Sequence, residues 1–160
     1  MTSQVIDGGR GAVHDGVEPA DGRWGGRTRC MEGVMTEVDQ VIDRYFEIWN
    51  ETDARRRREL IGRTWTEDAS YVDPLMSGDG PDGIDAMVGG VQERFPGHWF
   101  RRTGGIDAYQ DRVRFSWELI DGGGGAPLVA GVDFGVVAAD GRLREITGFL
   151  DQGPVVPGGA

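Results

Sequence analysis

The chain has 160 residues, a formal net charge of −10 and one cysteine, and all its basic residues other than histidine are arginines. That charge works against binding nucleic acid or an anionic membrane, and a lone Cys30 excludes an intrachain disulfide. The length fits one domain with room for a real core.

Residues 1–34 are rich in Gly and Asp and carry no sustained apolar period. They are expected to form a disordered extension. Cys30 lies there with no positioned base nearby and reads as an incidental thiol. The segment lacks the hydrophobic core of a signal peptide, and no apolar run in the chain reaches transmembrane length. The expected setting is the cytoplasm, with neither membrane nor nucleic acid as partner. The folded domain is expected over 35–152, followed by a loose tail over 153–160.

A first helix is predicted from Thr36 to Asn50. Thr36 with Asp39 three residues later resembles a capping box. Val38, Val41, Ile42, Tyr45, Ile48 and Trp49 recur at helical spacing. Asp53 can cap a second helix ending near Trp65. Arg55–Arg58 inside it read as a solvated basic face beside Glu51 and Glu59. Ala69–Asp73 reads as a short strand stopped by Pro74, followed by a polar Gly-rich loop through Gly80. A third helix is predicted over Asp82–Arg94, with Gly89 and Gly90 each weakening it by roughly 1 kcal/mol.

The rest reads as strands: Trp99–Ala108, Arg112–Ile120, Pro127–Ala138 and Arg142–Leu150. In the second of these, Val113, Phe115, Trp117 and Leu119 alternate with Arg112, Arg114, Ser116 and Glu118. Asp140-Gly141 marks a tight turn. Helices first and strands after argue an α+β fold. Three helices against one face of a curved antiparallel sheet would make a cone enclosing a ligand-sized pocket.

One residue breaks the pattern. Asp133 sits inside the otherwise apolar run Val129–Val137. A buried carboxylate there needs a partner, a wet cavity or a proton. Gly131 and Gly135 share its strand face and leave room for a ligand or another backbone.

The element order, Tyr45 and Asn50 in the first helix, Val72-Asp73-Pro74, and Asp133 followed by Asp140-Gly141-Arg142 together resemble the nuclear transport factor 2-like superfamily. Within it the chain is similar to SnoaL-like proteins and ketosteroid isomerases, over residues 36–151. The resemblance implies a proton-shuttling base at Asp73, with Tyr45 and Asp133 as donors to an enolate oxygen. A carboxylate beside a carbonyl can take up and return a proton, and a phenol and a neutral carboxylic acid can donate. Asp133 would then be neutral near pH 7.

Each site residue also has a structural reading. Tyr45 can be a core tyrosine, Asp73 a turn cap, and Asp133 a hydrogen-bonding partner of Tyr45 or of a backbone amide. The aromatics Trp49, Trp65, Tyr71, Phe95, Phe100, Trp117 and Phe149 are expected in the core, lining the pocket. His98 lies near the rim or in solvent. Epoxide hydrolases of the superfamily carry an Arg two residues before the strand Asp, where this chain has Gly131. No cofactor and no metal site is expected; no nucleophilic Ser or Cys motif and no P-loop occur. The expected ligand is a small, mainly apolar, carbonyl-bearing molecule. The expected chemistry is that of an isomerase or polyketide cyclase, with a non-catalytic binding or dimerisation module as the alternative. Pairing through the outer sheet face into a homodimer is also expected.

Overall fold

A computed structural model describes residues 36–153. The expectations for residues 1–34, including Cys30, and for the tail beyond Gly153 lie outside the described residues. The described residues form three helices and six strands: α1 Glu37–Asn50, α2 Ala54–Thr64, β1 Trp65–Val72, β2 Ser77–Asp79, α3 Gly80–Arg94, β3 His98–Tyr109, β4 Arg112–Asp121, β5 Val129–Val137 and β6 Leu143–Gln152. No helix among them is long and apolar enough to cross a membrane.

α1 starts where the capping box predicts. The Thr36 hydroxyl accepts from the Asp39 amide, and the Asp39 carboxylate accepts from the Thr36 amide. Its apolar face buries Val41, Ile42, Tyr45, Phe46, Ile48 and Trp49. The last turn has no basic residue. Its open carbonyls are met from α3 instead, where the Gln92 amide donates to the carbonyls of Trp49 (3.0 Å) and Glu51 (2.9 Å). Asn50 then ties the helix end to β3, donating to the Phe100 carbonyl and accepting from its amide. That clamp holds Trp49 against Phe100.

Asp53 caps α2 as expected, accepting from the Arg56 amide. The basic run is not wholly a solvated face. Arg57 is buried and donates to Asp85 (2.6 Å) and to Gln92 (2.9 Å), while Arg58 reaches the other Asp85 oxygen. A Cβ on Gly89 would make ordinary contact with the Arg57 guanidinium at 3.4 Å, so the buried arginine lies directly against α3.

The sheet runs β2-β1-β6-β5-β4-β3. All pairings are antiparallel except β1 with β6, which is parallel, so the sheet is mixed. β1 begins four residues earlier than the alternation indicated, because Glu67 and Asp68 are exposed and the register shifts between Trp65 and Ser70. β2 falls in the stretch expected to be a loop. Its three residues carry no apolar alternation, but its backbone pairs with Ser70–Val72. α3 starts at Gly80 instead of Asp82, since Pro81 suits a first turn that has no use for its amide hydrogen. β4 alternates as predicted, with Val113, Phe115, Trp117 and Leu119 inward. Register shifts in β1, β3 and β6 mark where those strands bend. The helices and the inner sheet face share one apolar core.

Candidate functional site

Two carboxylates reach the same apolar cavity by different routes. Asp73 follows directly on β1, where Pro74 ends the strand. Its Oδ1 accepts from the amides of Leu75 (2.7 Å) and Met76 (2.9 Å), and its own amide donates to the Met76 carbonyl. One oxygen thus caps a turn, as the structural reading of this residue anticipated. The other, Oδ2, accepts from the Tyr71 hydroxyl at 2.8 Å. Tyr71 stands two residues back on the same face of β1, so strand periodicity brings the pair together.

Asp133 lies mid-strand on β5, between Phe115 of β4 and Gly148 of β6. It is 1% exposed. Its Oδ2 accepts from the Tyr45 hydroxyl at 2.6 Å, and its Oδ1 from the Trp117 indole nitrogen at 2.8 Å. Burial pushes this carboxyl up to about 6; the two donors pull it down, and the charge of Asp73 pushes it up again. The shift runs in the direction expected for a desolvated acid, and the two donors work against it. Burial, with the Asp133 charge behind it, raises the Tyr45 and Tyr71 hydroxyls well above their ordinary range, so both remain protonated donors.

Glycines make this packing possible. A Cβ on Gly148 would lie 3.0 Å from Asp133 Oδ1 and 3.2 Å from both Asp73 Cβ and the Tyr71 hydroxyl. A Cβ on Gly131 would strike the Phe149 carbonyl and stand 2.7 Å from the Trp117 ring. The room at Gly131 and Gly135 is thus filled by protein, not kept for a ligand. Trp117 occupies the first, while Val113 and Ile146 occupy the second. With Gly131 bare, the Trp117 indole lies close enough to β5 to bond Asp133.

The cavity measures about 800 Å³ and takes in Tyr45, Asp73 and Asp133 together. Of the aromatics expected to line it, Trp49, Tyr71, Phe95, Phe100 and Trp117 do so. Trp65 does not. It is 1% exposed and packs behind the site against the Tyr45 ring. Phe149 does not either. It pairs with Val132, not Asp133, and so points to the outer face, 51% exposed and edge-on to Phe134. Leu150 takes the inner place. His98 is half-buried beside Phe95 and the Pro96 carbonyl and is not part of the lining.

Sequence reasoning missed two donor roles, Tyr71 to Asp73 and Trp117 to Asp133. Strand alternation carries a signal for the first, and nothing in the sequence for the second. It also missed the wall given by α3, where Gly83, Ala86, Met87, Gly90, Val91 and Arg94 line the cavity at helical spacing. Among the described residues no cluster of His, Cys, Asp or Glu could hold a metal ion.

Among curated proteins none matches the chain significantly. Solved structures do. A candidate isomerase of the SnoaL-like family from Agrobacterium tumefaciens is 40% identical, over 74% of this chain and all of the other, with a TM-score of 0.69. A candidate SnoaL-like polyketide cyclase from Jannaschia is 20% identical over 74% of this chain and 88% of that one, with a TM-score of 0.59. A protein of unknown function with a cystatin-like fold from Methylobium petroleophilum is 18% identical over 78% of this chain and 82% of its own, with a TM-score of 0.60. These last two speak for the fold alone. The profile of the SnoaL-like domain matches residues 42–146, from α1 into β6 and across Tyr45, Asp73 and Asp133, and the chain belongs to that family.

Proposed function

We propose that the cavity binds a small, mainly apolar, carbonyl-bearing molecule and moves a proton beside its carbonyl, as an isomerase or a cyclase would. The observation that supports this is the contrast between two carboxylates in one cavity. Asp73 is half-buried and hydrogen-bonded; Asp133 is sealed and titrates unusually high for an aspartate. Groups of one kind held in different environments are suited to different roles. Asp73 is the base, since its Oδ2 is held by a single side-chain hydroxyl that a substrate can displace. Tyr45 is the donor to the developing enolate oxygen, with Asp133 behind it. When a ligand oxygen takes the Tyr45 hydrogen, Asp133 loses a donor and its affinity for a proton rises. Asp133 then takes up a proton from solvent water, and the pair becomes two donors in the presence of the enolate.

A second reading is a non-catalytic binding module. It is favoured by the same hydrogen bonds: without ligand, Tyr45 and Trp117 are both engaged by Asp133, and Asp73 caps its turn. Exchange of the α-protons of a bound enone with solvent deuterium separates the two. The wild type is expected to exchange them and Asp73→Asn to fail while still binding. Equal slow exchange in both would leave only the binding module.

A further inference from the structure

We infer that the natural ligand bears one carboxylate, and that Arg94 at the mouth of the cavity selects it. The inference rests on the ligand-binding reading above and adds the chemistry of the ligand's second end.

The stripe of α3 that lines the cavity is cut back at Gly83, Ala86 and Gly90. A Cβ on Gly90 would meet nothing within 4 Å, so the cavity reaches the helix backbone there. The stripe ends in the last turn at Arg94, which is exposed. Its guanidinium sits 5.8 Å from the centroid of the Phe95 ring, which also lines the cavity. Among the described residues no carboxylate pairs with it; the same holds for Arg44, Arg56, Arg63, Arg102 and Arg144, but none of those lines this cavity.

Among the described lining residues Arg94 is also the single cation; Asp73, Asp79 and Asp133 are the other charges. Exposure orders them by depth: Asp133 sealed, Asp73 half-buried, Asp79 and Arg94 exposed. A ligand whose carbonyl meets the deep group and whose body follows the bare wall of α3 brings its other end to Arg94. A planar guanidinium matches a carboxylate with two parallel hydrogen bonds. A doubly charged phosphate would face Asp79 and Asp73 with one guanidinium in compensation, so a monoanion fits better.

The probes are 6-hydroxy-2-naphthoic acid, its neutral amide and 2-naphthol, whose phenol oxygen mimics an enolate. Binding to the full chain is followed by naphthol fluorescence at neutral pH and low salt. The wild type is expected to hold the acid roughly three- to fivefold more tightly than the amide, the range for a partly exposed ion pair. Arg94→Gln should erase that preference, weakening the acid more than the amide, and Arg94→Lys should restore part of it. An acid-to-amide ratio that is the same in wild type and Arg94→Gln, or an amide preference in wild type, overturns the inference. If 2-naphthol binds but the acid gains nothing over the amide, only this inference falls. If none of the three binds, the ligand-binding reading falls with it.

Discussion

Asp133→Asn tests the central electrostatic claim without needing a substrate. The carboxyl is raised by burial from 3.8 to about 6 in the folded protein. Protonation therefore favours the folded state. The contribution is complete only well below pH 3.8 and is lost as pH rises through about 6. A displacement of that size corresponds to about 3 kcal/mol. The asparagine cannot titrate, so subtracting its stability from that of the wild type isolates this one group from the other carboxylates. Urea unfolding of both proteins, followed by tryptophan fluorescence from pH 4 to pH 8, gives the difference directly. The wild type should lose about 2 kcal/mol relative to the variant between pH 4 and pH 7, the rest of the effect lying below pH 4, and almost nothing further by pH 8. A flat difference would mean that Tyr45 and Trp117 fully offset the desolvation. A difference of opposite sign would mean that they outweigh it, and either result refutes the reasoning.

Tyr45→Phe removes one donor and should slow deuterium exchange of a bound enone by about 10²–10³-fold; unchanged exchange would put Tyr45 outside the chemistry. Gly148→Ala presses a methyl onto Asp133, Asp73 and the Tyr71 hydroxyl, all fixed by hydrogen bonds. It should cost about 1–3 kcal/mol, read as a lowered Tm, and an unchanged Tm would show a looser site. Arg57→Leu leaves Asp85 with only the largely exposed Arg58. Urea unfolding should register a loss of about 3 kcal/mol, whereas a neutral result would make the buried pair dispensable. The outer sheet face carries Phe134, Phe149 and Val72 half-exposed near Arg114 and Glu118. Light scattering is expected to give a homodimer mass, and a monomer mass at micromolar concentration would rule the pairing out.

What could be read from the sequence followed how local the determining forces are. α1 was legible to its first residue because its cap and apolar face lie within one segment. β4 was legible because its alternation is unbroken. β2 was not, because a three-residue edge strand around Gly78 owes its existence to hydrogen bonds with β1 and carries no pattern of its own. The burial of Arg57 was equally hidden, since the run Arg55–Arg58 looks uniform until α3 supplies Asp85 and Gln92. At the site, Asp133 stood out as a charge in an apolar strand. Tyr45 was anticipated as a partner although it lies 88 positions away; Trp117 was not, because it reaches Asp133 only where Gly131 lacks a side chain. The two misplaced aromatics fail for separate reasons. Phe149 was assigned without regard to which face of β6 it shared, and Trp65 is core of a kind that composition cannot tell from cavity wall.

The asymmetry between the carboxylates comes from the fold itself. A residue just past a strand end, before a proline, has amides of its own turn to bind and stays half in reach of solvent; Asp73 is such a residue. A mid-strand residue on the inner face has no free amides nearby, because the ladder uses them. Asp133 must therefore recruit side chains from outside its strand, and α1 and β4 supply a phenol and an indole. Neither is charged, so the desolvation of Asp133 is only partly offset and its proton affinity stays high. An arginine in the place of either donor would hold Asp133 as an ordinary carboxylate and remove the contrast. On the proposed reading, neutral donors on one carboxylate and a displaceable hydroxyl on the other let the cavity answer a ligand oxygen by redistributing hydrogens.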